Sequence, residues 1–215
     1  MIPDWIAERR DMVEHQLRRR GIRDENVRRA MTRIPREEFV PLDARVLACQ
    51  DDPVSIGHGQ TISQPYMTAL MAQLLELRGH ESVLEVGAGS GYAAAVLGAL
   101  AARVTAVEIV PALAITAREN LERTGCAANV RVVEGDGSWG WPEGAPYDAI
   151  SVAAGAPDVP VALLEQLADP GRMVIPVGGR GDQELLLITK NGGRIERRVA
   201  TGCRFVPLRG QEGWR

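Results

Sequence analysis

Apolar residues recur at helical spacing in the first third of the chain, within strongly charged sequence. From residue 4 to residue 33 this pattern predicts two surface helices, and Gly21 marks the break between them. Pro65 opens a second amphipathic segment that predicts a third helix, which Gly79 ends. The apolar positions of the first two helices are Ile6, Val13, Leu17, Val27, Ala30 and Met31.

From residue 82 onward, short apolar runs alternate with helical patterns. This alternation predicts an α/β fold with a doubly wound, mostly parallel sheet covered on both faces, preceded by the N-terminal helices and extended by C-terminal strands. The predicted strands are 82–87, 103–110, 129–135, 147–155, 171–178 and 184–190, and the predicted helices between them are 91–101, 111–125 and 159–168.

Charge and cysteine content exclude several classes of function. With 25 basic and 28 acidic side chains, the net charge of −3 gives no electrostatic footprint for a nucleic-acid backbone or an anionic membrane. The three cysteines are odd in number and widely spaced, which argues against a disulfide framework and a metal site. Charges interrupt every apolar run at the N-terminus, so no signal peptide or membrane span is predicted. We expect a cytoplasmic monomer without a metal.

A segment rich in glycine, proline and hydroxyl side chains, DDPVSIGHGQTISQP, lies between the predicted second and third helices at residues 51–65. These residue types disfavour a long regular element, so we predict an irregular loop. Loops of this length usually serve a function in compact domains. The segment is therefore a candidate site.

The clearest binding signal is a buried strand that runs directly into a glycine-rich turn, from Val83 to Gly91. Gly87, Gly89 and Gly91 have no side chain, so a ligand can approach the backbone closely. Glu108 follows about 20 residues later, at the end of the next predicted strand, where an acidic residue accepts hydrogen bonds from ribose hydroxyls. Together these features predict a nucleoside ligand.

The same turn indicates which nucleoside it binds. A dinucleotide fingerprint needs a third small residue where Tyr92 stands, and the turn lacks the GK[ST] ending of a phosphate-binding loop. Glu85 adds negative charge, which disfavours pyrophosphate and favours the cationic, phosphate-free S-adenosylmethionine. Gly135 and Asp136 end the third strand at the same sheet edge, where Asp136 could receive the adenine amino group; alone, Asp136 reads as a turn residue.

These motifs in their order resemble the protein-L-isoaspartate O-methyltransferase family, over about residues 36 to 210. The most specific segment is IGHGQTISQPYM, and it is followed by VLEVGAGSGY, GDG, PYDAI, GRMVIPVG and RFVPL. The resemblance implies a Rossmann-like, S-adenosylmethionine-dependent methyltransferase fold that leaves S-adenosylhomocysteine as product. It further implies that the substrates are isoaspartyl-containing proteins and peptides, methylated on the α-carboxylate as the first step of repair.

The chain is accordingly interpreted as one domain, residues 1–215. Residues 1–78 would supply the N-terminal helices and the active-site loop. Residues 79–178 would form the core that binds S-adenosylmethionine, and residues 179–215 the C-terminal strands.

By the same resemblance, Ser63 in TISQP is the catalytic serine, with Gln60 and Thr61 beside it in the cleft. A serine suits the chemistry, because a carboxylate with a pKa near about 3.5 is already ionised at neutral pH and needs no general base. A hydroxyl that donates one hydrogen bond could orient that carboxylate. The alternative is that Ser63 only caps the helix that begins at Pro65.

Four further residues, His58, Trp139, Trp141 and Cys49, are weaker candidates for the site. His58 has no acidic partner in its motif, and the reaction needs no base. Trp139 and Trp141 could stack on adenine or form a hydrophobic lid. Cys49 stands where the family commonly has an aromatic residue, so substrate contacts from residues 48 to 55 are not carried over from the resemblance.

Two other functions stay open from the sequence. One is a carboxyl methyltransferase that uses the same cleft on a dedicated peptide or small acid. The other is a module that binds S-adenosylmethionine without catalysis, against which the intact Ser63, Glu108 and glycine-rich turn argue.

Overall fold

Two charge-rich helices begin the computed structural model, which describes residues 3–214. α1 (Trp5–Asp11) starts after Asp4, whose carboxylate accepts hydrogen bonds from two amides of the first turn. The helical path continues as a π-helical segment (Met12–Leu17) and a 3₁₀ turn (Arg18–Arg20), and it ends at Gly21, which has a φ of 91°. α2 (Glu25–Arg33) follows. The two predicted helices and the break between them are confirmed.

The glycine-rich segment contains a short hairpin that the sequence prediction omitted. β1 (Val54–Gly57) pairs antiparallel with β2 (Gln60–Ile62), and His58 lies in the turn between them at a φ of 54°. Flanking glycines suit such a turn because they adopt positive φ without steric cost. The prediction of a purely irregular loop is therefore wrong here, although both strands are short.

Helix α3 (Pro65–Leu75) follows the hairpin closely and confirms the third predicted helix. It begins with proline, whose fixed φ suits the first helical turn and whose missing N–H costs nothing there. Two 3₁₀ turns, Arg36–Phe39 and Leu42–Leu47, connect α2 to the hairpin.

The remaining strands form one seven-stranded sheet within residues 3–214. The five strands from β3 to β7 pair in parallel, whereas β8 and β9 are antiparallel to their neighbours, so the sheet is mostly parallel as predicted. The strands are β3 (Ser82–Val86), β4 (Arg103–Glu108), β5 (Val130–Glu134), β6 (Tyr147–Val152), β7 (Leu167–Gly178), β8 (Gln183–Asn191) and β9 (Arg194–Cys203), in the spatial order β5-β4-β3-β6-β7-β8-β9.

Three helices connect the parallel strands: α4 (Tyr92–Gly98), α5 (Pro111–Arg123) and α6 (Val161–Gln166). The chain winds from β3 through β4 to β5 on one side, and then crosses to β6 on the other side of β3. This reversal creates a crevice at the carboxyl ends of the central strands, where open α/β sheets bind ligands. No helix among the described residues is both long and apolar enough to cross a membrane.

Apolar side chains cover both faces of the sheet. Val83 belongs to one buried cluster, with apolar residues of α2, α3, α4 and α5, whereas Leu84 and Val86 belong to a second cluster, with Leu163 of α6. Successive residues of a strand point to opposite faces, so β3 supplies both clusters. Glu85 consequently lies on the Val83 face.

The C-terminal extension has one strand more than predicted. β9 pairs antiparallel with β8 over residues 194–203 and forms one edge of the sheet, where most of its residues are exposed. Its sequence, RIERRVATGC, lacks a continuous apolar run, so the pattern did not indicate a strand. The Asn191-Gly192-Gly193 turn was the available signal, because glycines at positive φ are typical of hairpin turns.

Candidate active site

A cleft lies at the carboxyl ends of β3 and β4, beside the point where the strand order reverses. It brings together residues from several separate parts of the sequence, among them the hairpin segment, the glycine-rich turn, the end of β4 and a segment near the C-terminus. Six of the predicted site residues line it: Gln60, Thr61, Ser63, Gly87, Gly89 and Glu108.

Backbone hydrogen bonds hold the glycine-rich turn at this edge. The amides of Gly87 and Ala88 both donate to the carbonyl of Val107, at 2.8 and 3.2 Å. A Cβ atom on Gly89 would lie 3.3 Å from the Ile56 side chain, and its φ is 55°, so a larger residue would crowd the cleft. Gly89 thus keeps the backbone accessible from the cleft.

Gly91 serves a different purpose from the other two glycines. It does not line the cleft; a Cβ atom there would lie 3.1 Å from the carbonyl oxygen of Ala117 in α5. With a φ of 89°, it occupies the N-cap position of α4. Gly91 therefore allows α4 to pack closely against α5, and a direct contact with a ligand stays a prediction.

The carboxylate of Glu108 is fixed by two backbone amides. Its Oε2 atom accepts a hydrogen bond from Gly89 at 2.8 Å, and its Oε1 atom accepts one from Val110 at 2.9 Å. The residue is only 5% exposed, yet it lines the cleft. Because each carboxylate oxygen can accept more than one hydrogen bond, Glu108 retains acceptor capacity toward a ligand.

Glu85 is fully buried on β3 and does not line the cleft. Neither of its carboxylate oxygens has a hydrogen-bond partner among residues 3–214. Burial, and secondly the negative charge of Glu108, raise the pKa of Glu85 well above its ordinary value. The hydroxyl of Ser90, a residue that does line the cleft, is also buried without a partner in the described chain.

Gly135 and Asp136 lie outside the cleft lining. The Oδ1 atom of Asp136 accepts hydrogen bonds from the amide and hydroxyl of Ser138, at 2.9 and 2.6 Å, and Oδ2 accepts one from the amide of Gln211 at 2.9 Å. Asp136 thus ties a turn to the C-terminal segment, and its contact with adenine stays a prediction. The adjacent Gly137 reaches the cleft.

Ser63 lines the cleft, and the hydrogen bond found at this residue within residues 3–214 is accepted by its carbonyl and not made by its hydroxyl. It does not cap α3: the N-cap position is Gln64, whose side chain makes no cap bond, and Asp51 accepts the hydrogen bond from the Tyr66 amide instead, at 3.1 Å. The cap interpretation of Ser63 is therefore wrong, and its hydroxyl is available for a ligand.

Sequence reasoning missed the C-terminal segment Val206–Arg209, which forms one wall of the cleft. Gly155 holds it, donating to the Val206 carbonyl and accepting from the Leu208 amide, both at 2.8 Å. The indole of Trp214 also donates to the Gly155 carbonyl, at 2.9 Å. The apolar run FVPL within a polar tail was the signal that could have indicated this wall.

The other candidates lie away from the cleft. His58 is exposed in the hairpin turn, Trp139 is 46% exposed, and Trp141 packs against Gly135; none of the three lines the cleft. Burial raises the pKa of the Cys49 thiol to about 11, so that thiol stays protonated at neutral pH. Within the described residues, no group of three or more His, Cys, Asp or Glu side chains could hold a metal ion.

Comparison with known proteins identifies this arrangement. The family model described as protein-L-isoaspartate(D-aspartate) O-methyltransferase matches residues 7–213. A protein-L-isoaspartate O-methyltransferase 2 from Marinobacter nauticus is 56% identical over 96% of this chain and 94% of its own length. A protein-L-isoaspartate O-methyltransferase from Methanoculleus marisnigri is 52% identical with the same coverage.

Solved structures agree with these sequence matches. One protein-L-isoaspartate O-methyltransferase superposes with a TM-score of 0.83 at 31% identity, over 95% of this chain and 67% of the other. A Plasmodium falciparum structure described as this type of enzyme in complex with S-adenosyl-L-homocysteine has a TM-score of 0.78 at 29% identity, over 94% and 98% of the two chains. The predicted methyltransferase fold is thereby confirmed, and the chain belongs to the protein-L-isoaspartate(D-aspartate) O-methyltransferase family.

Proposed function

We propose that the protein transfers a methyl group from S-adenosylmethionine to the α-carboxylate of isoaspartyl residues in damaged proteins. Family membership over nearly the whole chain supports the reaction type. The observation that carries the proposal is the presence of Ser63 in the same cleft as the glycine-rich turn and Glu108. The cleft thus holds both a hydrogen-bond donor for the substrate carboxylate, Ser63, and a hydrogen-bond acceptor for the nucleoside, Glu108.

The residues in and behind the cleft fit S-adenosylmethionine: Glu108 and Ser90 line it, whereas Glu85 is buried on β3 outside its lining. Glu108 is held by the protein so that it can accept hydrogen bonds from ribose hydroxyls. The carboxylate of Glu85 and the hydroxyl of Ser90 are buried without partners in the described chain, and a cationic group nearby would stabilise an ionised Glu85. When bound, S-adenosylmethionine supplies an electrophilic methyl group on a positively charged sulfur.

The acceptor needs little more than orientation. The substrate α-carboxylate is ionised at neutral pH, so its oxygen attacks the methyl carbon directly; a C–O bond forms as the C–S bond breaks, and no proton is transferred. Tyr92, the one tyrosine in the cleft lining, is no base, because burial raises its pKa to about 12. The Ser63 hydroxyl donates a hydrogen bond that holds the carboxylate in line with the methyl group.

Part of the cleft lining is shielded from solvent. Glu108 and Ser90 are buried, and Leu208 of the C-terminal wall is 4% exposed. A low-polarity environment strengthens the hydrogen bonds that orient both substrates. The wall formed by Val206–Arg209 thereby contributes to positioning as well as to shape.

The test is methyl transfer from labelled S-adenosylmethionine to a matched peptide set: one isoaspartyl peptide, the same peptide with normal aspartate, and free small acids. We expect label only on the isoaspartyl peptide, and its release as methanol on mild alkaline treatment, because a carboxyl methyl ester is base-labile. Preference for a small acid or for the aspartyl peptide would favour a dedicated carboxyl methyltransferase. Binding of S-adenosylmethionine in calorimetry without any transfer would indicate a non-catalytic module.

A further inference from the structure

Arg36 is a fully buried cation with no carboxylate partner among the described residues. It is 0% exposed, and its guanidinium donates from Nε to the carbonyl of Ala48 at 2.7 Å and from Nη2 to the carbonyl of Ser63 at 2.8 Å. Its third nitrogen, Nη1, has no hydrogen-bond partner in residues 3–214. Arg36 therefore contacts the backbone of the residue whose hydroxyl lies in the cleft.

A cation in this position is unfavourable for stability alone. Burial lowers the pKa of Arg36 from its ordinary value, yet a guanidinium stays charged in proteins, so its desolvation is not relieved by loss of a proton. Buried charges without a counter-ion are costly, and well-packed apolar residues of similar volume are often at least as stable. The position of Arg36 accordingly favours a role beyond packing.

The same guanidinium contacts the other half of the cleft. Its central carbon lies 4.7 Å from the ring centroid of Tyr92, a cation–π distance. Tyr92 is 1% exposed, lines the cleft and begins α4 directly after Gly91. Arg36 thus joins the Ser63 segment to the helix that follows the glycine-rich turn.

The backbone on either side of Ser63 is already restricted. Ile62 is paired with Val54 in the hairpin, and Gln64 is held in an extended conformation (φ −54°, ψ 146°), as expected before a proline. The hydrogen bond from Arg36 fixes the intervening carbonyl. With all three constraints in place, rotation about χ1 is the main freedom left to the Ser63 hydroxyl.

We propose that Arg36 is a positioning residue for methyl transfer: by holding the Ser63 carbonyl and stacking on Tyr92, it sets the Ser63 hydroxyl at a fixed distance from the glycine-rich turn. This inference rests on the proposed function, in which Ser63 orients the substrate carboxylate. It predicts that Arg36 acts on turnover through Ser63, and only weakly on cofactor affinity.

A double-mutant cycle on the full chain tests this coupling. Arg36→Met should lower kcat on an isoaspartyl peptide by about tenfold to a hundredfold, the scale for misplacing a reacting group, and change the Kd for S-adenosylmethionine by less than about threefold. In the Ser63→Ala background the same substitution should lower kcat by no more than about threefold, because the hydroxyl it positions is gone. Arg36→Lys, which keeps the charge and can reach one carbonyl, should recover part of the activity and provides a second variant if Arg36→Met does not fold.

The matched control is Arg9→Met. Arg9 is 7% exposed and pairs with Glu37, without contacting Ser63 or the cleft. It should lower stability while leaving kcat within about threefold of wild type, in either background. Fully multiplicative effects of Arg36 and Ser63 substitutions, or an equal loss of kcat in Arg9→Met, would overturn the positioning role. A wild-type protein that methylates no isoaspartyl peptide would instead overturn the proposed function, and this inference with it.

Discussion

Glu108 closes the glycine-rich turn from the neighbouring strand, because its Oε2 atom accepts a hydrogen bond of 2.8 Å from the Gly89 amide. Its second oxygen accepts from Val110 at the start of the next connection. The acidic residue and the glycine are 19 positions apart in sequence. The two residues form a single unit: Glu108, the proposed hydrogen-bond acceptor for the ligand, also fixes the glycine-rich turn that the ligand would approach.

Glu108→Ala should weaken binding of S-adenosylmethionine by about 1 to 3 kcal/mol, the scale for losing hydrogen bonds to a charged acceptor. The variant also leaves two amides without their partner, so calorimetry should be paired with a measurement of Tm. Glu134→Ala is the matched control, since Glu134 occupies the corresponding end of β5, paired with Glu108, but is exposed. Unchanged affinity in Glu108→Ala would count against contact with ribose.

Ser63→Ala should lower kcat by about a hundredfold while leaving the Kd for S-adenosylmethionine close to wild type. The loss corresponds to about 2 to 4 kcal/mol of transition-state stabilisation, by analogy with removal of an oxyanion-hole donor. Ser55→Ala is the control, because Ser55 lies on the same hairpin, exposed and outside the cleft lining. Near-normal turnover in Ser63→Ala would show that backbone amides orient the substrate.

Glu85→Gln should stabilise the protein without cofactor, by an amount that grows with pH. Burial raises the pKa of Glu85 in the folded state well above the unfolded value of about 4.3. At pH values between these two pKa values, Glu85 is protonated in the folded state and ionised in the unfolded state. The free energy of unfolding of the wild type therefore falls as pH rises through this interval. Glutamine cannot ionise and escapes this loss. Urea unfolding at about pH 5 and about pH 8 should show a larger gain at the higher pH.

The same residue should make binding of S-adenosylmethionine depend on pH. A cationic ligand near Glu85 favours its ionised form, so binding should release protons and strengthen as pH rises toward the pKa of the free protein. Calorimetry in buffers of different ionisation enthalpy measures this release, which should disappear in Glu85→Gln. Equal proton release in wild type and variant would place the ligand's cationic groups away from Glu85.

Gly91→Ala should destabilise the fold by about 1 to 3 kcal/mol more than Gly125→Ala does. Both glycines have positive φ, but a Cβ atom at Gly91 would approach the Ala117 carbonyl to 3.1 Å, whereas nothing lies within 4 Å of one at Gly125. The difference between the two losses of stability therefore measures the steric overlap that a Cβ atom at Gly91 causes between α4 and α5. Equal losses in denaturant unfolding would mean that backbone strain alone requires the glycine.

The buried part of the fold was predictable because runs of apolar residues indicate buried strands and helices. β3 is mainly apolar, interrupted by Glu85, since both of its faces are covered, and the turn after it was indicated by its glycines. The exposed edge strand β9 escaped prediction because none of its residues is buried and charged side chains interrupt its apolar ones. The hairpin of β1 and β2 escaped because its strands are only four and three residues long.

The candidate site was predictable where a motif is contiguous in sequence, and less so where folding brings distant residues together. Ser63, Gly89 and Glu108 all line the cleft, as their motifs indicated. Arg36 looked like one more arginine in a charged region, since only tertiary packing shows that it is buried against Ser63 and Tyr92.

The wall formed by Val206–Arg209 has a consequence for the order of folding. Its anchors join residues far apart in the chain: Gln211 to Asp136 across 75 positions, and Trp214 to Gly155 across 59. Contacts of such separation carry a loop-closure cost and form slowly compared with local pairings. A refolding chain should therefore regain its helical circular dichroism before it regains methyl transfer, and the interval between the two signals measures how long the protein has its helices without a complete cleft.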